Sequence, residues 1–242
     1  MTNETERSES GAPIHRHQAD KSTIVPPLAT DPQAIEKIEA HIDRYVGATA
    51  MVFHELVSDL VHIDVHIVEP TGERPFYTLV TSGMSDQAMN TPQDYAHLNY
   101  AELVICLPPS WPLSQDDFQE TENYWPLRGL KFLARLPHVY NTWLWATHTV
   151  PNGDPPEPFA SNTRLCCMLL ARPVLFDDAF MELKVSDEKT IHFLSLLPIY
   201  REEMDFKLKY GVDELFSRLD EIGVSELLDV NRKNVCEPTQ KS

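Results

Sequence analysis

The chain has no apolar run that approaches the length of a membrane-spanning helix, and it contains few cysteines and few basic residues. Crossing a bilayer takes about 20 consecutive apolar residues, so we predict no transmembrane segment. Four cysteines among 242 residues are too few for a secreted scaffold that is held together by disulfides. Residues 1–20 are polar and charged, without the apolar stretch of a secretion signal, so we expect a cytoplasmic protein.

Basic side chains are scarce relative to acidic ones. The sequence has 20 Lys and Arg residues against 37 Asp and Glu residues, which gives a formal net charge of −17. This balance argues against binding to nucleic acids or to anionic membranes, because both depend on Lys and Arg. Such a surface suits a basic partner protein, since complementary charge accelerates encounter. Acidity that only keeps the protein dissolved is the alternative interpretation.

Glycine is also scarce, and this limits the kinds of active site. Eight glycines leave little material for a phosphate-binding loop. The segment SGMSD at residues 82–86 follows a predicted strand but lacks the G-x-S-x-G pattern of a nucleophile elbow. Pairs of carboxylates carry no information in so acidic a chain. We therefore predict no catalytic residues and no cofactor.

Hydrophobic periodicity predicts an α+β fold, with a largely antiparallel or mixed sheet packed with helices. Residues 1–30 are predicted to be a flexible arm, residues 31–223 a single domain and residues 224–242 a polar tail. Helices are predicted at residues 31–47, 122–137, 201–210 and 213–222. Strands are predicted at residues 48–57, 60–68, 76–81, 101–107, 143–150, 164–171, 180–185 and 191–197, and the first three should form an antiparallel meander.

The second predicted strand carries the most ligand-like spacing in the chain. His62, Asp64 and His66 alternate with apolar residues, so all three lie on one face of the strand. Successive side chains on that face stand about 6–7 Å apart, which is too far for three of them to hold one small ion. A metal site would need a further ligand, such as His54 or Glu55. We favour a polar, hydrogen-bonded sheet face over a metal-dependent hydrolase, which is the alternative.

Two loops are candidates for a partner-binding surface, because loops on a rigid scaffold commonly carry function. The segment 82–92 contains Gly, Asn, Asp and Pro, and few residues that require burial. The segment 151–158 is rich in proline and turn residues, so it would present a stiff recognition edge at low entropic cost. A rigid connection between strands is equally consistent with it. The candidate residues are Ser82, Gly83, Met84, Ser85 and Asp86 in the first loop, and Asn152, Asp154 and Glu157 in the second.

Five segments together resemble the suppressor-of-fused-like domain in its compact bacterial form. They are HIDVHIV at residues 62–68, YTLVTSGMSD at 77–86, AELVICLPP at 101–109, ENYWPLRGLKFLARLPHVYNTW at 122–143 and HTVPNGDPPEP at 148–158. The similarity extends over most of the chain, from around residue 32 to residue 200. The resemblance implies a mixed α/β fold without established enzymatic chemistry.

The resemblance also implies a function in binding other proteins. In animals, suppressor of fused is a cytoplasmic regulator that sequesters Gli-type transcription factors by gripping a short extended peptide through strand addition. Bacterial relatives are associated with polymorphic toxin systems as proposed immunity proteins. The sequence therefore predicts a non-catalytic module that sequesters or inhibits another protein, for example a basic toxin. A constitutive subunit of a larger assembly is a further alternative.

Overall fold

The computed structural model of the chain describes residues 6–17, 32–54 and 61–237, and in these ranges it has four α-helices and eight β-strands. The helices are α1 (Pro32–Tyr45), α2 (Thr121–Val139), α3 (Arg201–Tyr210) and α4 (Val212–Asp220). The strands are β1 (Thr49–Phe53), β2 (Asp64–Val68), β3 (Tyr77–Ser82), β4 (Ala101–Leu107), β5 (Thr149–Pro151), β6 (Cys167–Ala171), β7 (Glu182–Lys184) and β8 (Thr190–Ile199). None of these helices is long and apolar enough to cross a membrane.

The eight strands belong to one sheet, in the order β1-β2-β3-β4-β8-β6-β5, with β7 also paired to β8. The first four strands form an antiparallel meander, as the sequence predicts for the first three. β4 and β8 run parallel, and the other described pairs are antiparallel. The sheet is therefore mixed and largely antiparallel, which confirms the predicted α+β class.

Successive side chains of a strand point to opposite sides of a sheet, and both sides of the central strands are covered. Leu103 of β4 packs with Leu130 of α2 in the main core. Val104, the next residue, packs in a second apolar cluster with Ile38 and Ile42 of α1. A third cluster joins α4 to β6 and β8. The two long helices, α1 and α2, thus cover opposite faces of the central strands.

Two predicted elements have their predicted bounds in the structure. The strand at residues 101–107 and the helix at residues 201–210 agree at both ends. The predicted strand at residues 180–185 is shorter than expected, because its first residues belong to a 3-10 helix at residues 178–181. This helix begins after Asp177, whose side chain accepts a hydrogen bond from a backbone N–H of the turn. Such capping favours a turn over an extended strand.

The predicted strand at residues 143–150 is wrong for most of its length. Strand pairing starts only at residue 149, where β5 begins. Thr147 has a φ of 78°, which lies outside the extended region that a strand requires. Because this segment is not extended, its two tryptophans have different surroundings: Trp143 stacks on Tyr95, whereas Trp145 packs edge-on against His192.

Residues 224–237 pack on the folded body, where the sequence predicts a polar tail. Leu228 and Asn234 are buried. The backbone N–H of Cys106 donates to the carbonyl of Glu226 over 2.9 Å, and the N–H of Leu228 donates to the carbonyl of Cys106 over 2.8 Å. These bonds continue the ladder of β4 past the point where β8 stops pairing with it. The packing therefore extends beyond residue 223, and residues 238–242 lie outside the described part of the chain.

Candidate functional site

An apolar groove with a volume of about 160 Å³ lies between α2 and β5, and we call it the α2–β5 groove. Trp125 and Phe132 of α2, Val150 of β5 and Phe159 contribute to its walls. Trp125 is fully buried and stacks on Phe159 with a ring-centroid distance of 5.0 Å, so this wall is rigid. Phe132 is 50% exposed, so the groove is open to solvent at this side chain. An exposed aromatic ring beside a concave apolar surface is typical of a binding site.

The groove borders an edge of the sheet, since β5 is the last strand in the sheet order. The residues on either side of β5 bond towards β6. The N–H of Leu170 donates to the carbonyl of His148, and the N–H of Asn152 donates to the carbonyl of Cys166, the residue before β6. Alternate residues of an antiparallel strand bond to opposite sides, so the carbonyls of Thr149 and Pro151 are directed away from β6. This edge can accept an added strand.

The loop at residues 152–157 borders the groove and is closed by its own hydrogen bonds. The side chain of Asn152 donates to the carbonyl of Glu157 over 2.8 Å, and the N–H of Glu157 donates to the carbonyl of Asn152 over 2.8 Å. Asn152 therefore shapes the loop and lines the groove. The side chain of Asp154 is 84% exposed and Glu157 is exposed. The two carboxylates lie on the loop beside the groove, whereas the groove itself is lined by one charged residue among those described, Arg128.

Residues 6–17, part of the predicted flexible arm, contact the same region. The N–H of Ser10 donates to the carbonyl of Leu208 at the end of α3 over 3.0 Å. The guanidinium of Arg16 lies 3.1 Å from the carboxylate of Asp154, and both side chains are exposed. An exposed pair of this kind contributes little to stability. Residues 18–31 of the predicted arm lie outside the described residues.

A buried amine joins α3 to the edge strand. Lys207 donates a hydrogen bond from Nζ to the hydroxyl of Thr149 over 2.6 Å. Burial lowers the pKa of Lys207 to about 8. Burial also lowers the pKa of the adjacent His148 to about 4, so this imidazole is uncharged at neutral pH. The hydrogen bond of Lys207 therefore links α3 to β5, and the imidazole of His148 beside it carries no charge.

The candidate residues of the other predicted partner loop, which spans residues 82–92, lie mostly inside the protein. Asp86 is half-buried, and the expectation that the segment has few residues requiring burial is wrong. The sheet also separates this loop from the α2–β5 groove, because three strands lie between β3 and β5. The buried residues are Ser82, Gly83, Met84 and Ser85. Because these four residues are buried, they offer no exposed surface to which a partner could bind.

The carboxylate of Glu102 explains why that loop is buried. It accepts hydrogen bonds from the hydroxyl of Thr81 (2.6 Å), the backbone N–H of Ser85 (2.9 Å) and the hydroxyl of Ser85 (2.7 Å). Burial raises the pKa of Glu102 to about 7, although these hydrogen bonds lower it. Raised carboxyl pKa values occur in catalytic acids, but Glu102 is fully buried and has no access to a substrate. Its position fits a group that anchors the loop.

The predicted ligand series of β2 is divided between two environments. His66 is buried, burial lowers its pKa, and its Nε2 lies 2.8 Å from the hydroxyl of Ser82. Asp64 instead lies between two other histidines, with its carboxylate 3.0 Å from Nε2 of His62 and 2.9 Å from Nδ1 of His54. The structure thus groups His62 and Asp64 with His54 and excludes His66. Glu55, the other suggested ligand, lies outside the described residues.

Sequence reasoning missed the aromatic walls of the groove. The buried stripe of α2 includes Leu127, Leu130 and Leu133, and this stripe predicts the helix. Phe132 lies outside this stripe. An aromatic residue on the solvent side of the helix is the feature of the sequence that could have indicated a binding surface here. Its partner strand β5 has only three residues and no clear alternation, so the groove could not be assembled from the sequence.

Comparison with solved structures finds the same fold in several proteins. A protein described as a SUFU (suppressor of fused protein) homolog from Neisseria gonorrhoeae FA 1090 has a TM-score of 0.62 and 19% identity, over 83% of this chain and 95% of that chain. A chain of the Sufu–Fu complex has a TM-score of 0.56 and 12% identity, over 84% of this chain and 91% of that chain. Drosophila Suppressor of Fused has a TM-score of 0.56 and 11% identity, over 86% of this chain and 54% of that chain. At these identities the similarity shows the fold alone.

The family follows from a match to a family model. No curated protein sequence matches the chain. The model of Suppressor of fused protein (SUFU) matches residues 59–233, which is well over half of the 242 residues. This match confirms the resemblance of the five sequence segments, and it also includes most of the segment that packs beyond residue 223. The chain therefore belongs to the suppressor of fused protein (SUFU) family.

Proposed function

We propose that this chain is a non-catalytic protein-binding module that sequesters or inhibits a partner protein, and that the α2–β5 groove receives an extended apolar segment of that partner. The observation that carries the proposal is the half-exposed ring of Phe132 beside the outer edge of β5. A soluble protein gains nothing in stability from exposing such a ring, whereas a partner that covers it gains apolar contact area.

The groove supplies both components of peptide recognition by strand addition. Backbone hydrogen bonds give such a complex affinity, and pockets for alternate side chains give it specificity. The outward carbonyls of Thr149 and Pro151 would provide the first component. The apolar walls at Phe132 and Val150 would provide the second. One structural relative was crystallised in a Sufu–Fu complex, which supports a protein as the partner.

Charge favours a basic partner, such as a toxin neutralised by an immunity protein. The exposed carboxylates of Asp154 and Glu157 lie on the loop that borders the groove, and the whole chain has a net charge of −17. Opposite charge on the partner would accelerate association and make it dependent on salt. Raising the salt concentration from about 0.05 M to about 0.5 M shortens the Debye length from about 14 Å to about 4 Å. An affinity that does not change over this range would contradict this part of the proposal.

The experiment compares the wild-type protein with Phe132→Asp and with a matched control, Val174→Asp. Val174 is 68% exposed and does not line the groove, so the control places the same charge on an exposed apolar position elsewhere. Partners are identified by co-purification at low salt, and the binary complex is then reconstituted from purified proteins. We expect Phe132→Asp to weaken the binary complex by about 30-fold or more, as for an interface hot spot. Val174→Asp should change the affinity less than about threefold.

The outcomes test two claims separately: that the chain binds a partner protein, and that the α2–β5 groove is the binding site. If no purified partner forms a binary complex with the wild type, the protein-binding proposal is wrong. If a binary complex forms and Phe132→Asp binds as tightly as the wild type, the chain binds a partner, but not through the α2–β5 groove.

A further inference from the structure

The carboxylate of Asp64 lies between two imidazoles at the end of the first hairpin. Its two oxygens are 2.9 Å from Nδ1 of His54 and 3.0 Å from Nε2 of His62. One donor atom from each of the three residues lies within 4.8 Å of the other two. Three donors of this kind, concentrated at one point, are the ligand set that divalent transition metals of the zinc type prefer.

The register of the hairpin brings the three residues together. Phe53, the last residue of β1, pairs with Val65 of β2, so the next residue, His54, lies opposite Asp64. Residues opposite each other in adjacent strands have Cβ atoms about 4.5–5.5 Å apart. His62 precedes Asp64 by two positions, so both side chains lie on the same side of the chain. Strand pairing therefore places Asp64, the first residue of β2, beside His54, the first residue after β1.

Exposure of the three side chains suits an ion that enters from solvent. The side chain of Asp64 is 12% exposed and is held in place, whereas those of His62 and His54 are 39% and 67% exposed. Ligand atoms around a tetrahedral zinc ion lie about 3.4 Å apart. The two contacts of Asp64 would lengthen by a few tenths of an ångström, which an exposed imidazole can accommodate by rotation. The carboxylate and the net charge of −17 both attract a cation.

We propose that His54, His62 and Asp64 form a binding site for a single divalent transition metal ion of the zinc type, with one coordination position open to a ligand from outside. Three protein ligands and an open position distinguish such a site from a closed structural zinc site. The site is independent of the proposed partner groove, because β1 and β5 are at opposite ends of the sheet order. A histidine pair that only donates hydrogen bonds to Asp64 would give the same distances, and metal titration separates the two.

The test uses full-length protein from which any affinity tag has been removed and any metal has been stripped with a chelator. Zn²⁺ is titrated in competition with a chromogenic chelator, and Co²⁺ is used in parallel because four-coordinate Co²⁺ absorbs strongly in the visible range. We expect one ion per chain, with affinity that falls on acidification because the imidazoles must be unprotonated. His54→Ala should weaken binding at least about tenfold, and the conservative Asp64→Asn should do the same.

His97→Ala is the matched control, since His97 is exposed and lies outside the cluster. It should leave the stoichiometry and the affinity unchanged. His54→Ala removes an exposed side chain, so we expect it to fold, and circular dichroism checks this before titration. The proposal is overturned if the wild type binds no stoichiometric ion, or if His54→Ala and wild type bind Zn²⁺ with the same affinity. Neither result bears on partner binding at Phe132.

Discussion

The guanidinium of Arg232 forms a buried ion pair with the carboxylate of Glu203. Two nitrogens of Arg232 lie 2.7 and 2.5 Å from the two oxygens of Glu203, and the side chains are 8% and 0% exposed. Glu203 also accepts hydrogen bonds from the N–H groups of Tyr200 and Val235, each over 3.0 Å. Every oxygen of the buried carboxylate thus has a donor, and the segment after α4 is tied to the first turn of α3.

Replacing one partner of this pair should strongly destabilise the protein. We expect Arg232→Ala to lower the free energy of unfolding by about 3–5 kcal/mol, because Glu203 would keep a buried charge without its cation. Urea denaturation followed by tryptophan fluorescence measures the change. Arg201→Ala is the control: Arg201 is 60% exposed and lies 3.9 Å from Asp205, so its loss should cost less than about 1 kcal/mol. Equal effects of the two substitutions would contradict a structural role for the buried pair.

The length of the folded body can be tested by truncation. A chain that ends after residue 223 loses Arg232 and the buried side chains of Leu228 and Asn234, whereas a chain that ends after residue 237 keeps them. We expect the shorter chain to be less stable than the longer one by at least about 3 kcal/mol. Equal urea midpoints would place the end of the domain at residue 223, as the sequence predicts.

These contacts show why the sequence predicts the elements better than the ends of the domain. The apolar run of β4 and the periodic stripe of α2 identify themselves through local patterns. The segment after residue 223 is polar in composition, and a polar segment is predicted to be exposed to solvent. Its burial depends on partners that are far away in sequence, such as Glu203 for Arg232, 29 residues earlier. No local periodicity reports a buried polar group that is satisfied at such a distance.

The same limit applies to the candidate sites. Ser85 is buried because its partner is Glu102, 17 residues later, and sequence proximity gives no sign of this contact. His54 could be suggested as a ligand beside His62 and Asp64, but the choice between His54 and His66 depends on strand register. Register follows from pairing with β1 and β3, which is a property of the folded sheet.

Gly83 is a position where only glycine fits. Its φ is 103°, and a Cβ atom added there would lie 1.9 Å from the carbonyl oxygen of His62. That oxygen is a backbone atom of the segment that leads into β2, so it cannot rotate away as a side chain could. We expect Gly83→Ala to lower the free energy of unfolding by at least about 3 kcal/mol, through steric overlap and through backbone strain. Urea denaturation, or loss of soluble folded protein on expression, measures the effect.

Gly72→Ala is the matched control for this substitution. A Cβ atom at Gly72 meets no heavy atom within 4 Å, and its φ is not in the left-handed region. The variant should stay within about 0.5 kcal/mol of the wild type. Wild-type stability of Gly83→Ala would show that the turn after β3 can rearrange, and the loop at residues 82–86 would then regain its place as a candidate binding surface.

Glu102 should make stability depend on pH in the opposite sense to a paired surface carboxylate. Its pKa is raised from 4.5 to about 7 by burial, so the folded state holds the proton more tightly than the unfolded state. Below pH 4.5 both states are protonated, and the contribution of Glu102 to stability is fully present. As the pH rises from 4.5 through 7, the unfolded state ionises first, and this contribution is lost. The shift corresponds to about 3 kcal/mol between these limits.

The substitution Glu102→Gln isolates this contribution, because glutamine does not titrate and keeps a side-chain oxygen for the hydroxyl of Thr81 or Ser85. Other groups, including His66 and Glu226, are common to both proteins and cancel in the comparison. The free energy of unfolding is measured for both proteins by urea denaturation from pH 4.5 to pH 8. We expect the wild type to lose about 3 kcal/mol relative to Glu102→Gln across this range. A constant difference between the two proteins would mean that Glu102 has the same pKa in both states, and its buried hydrogen bonds to Thr81 and Ser85 would then offset the whole cost of burying its charge.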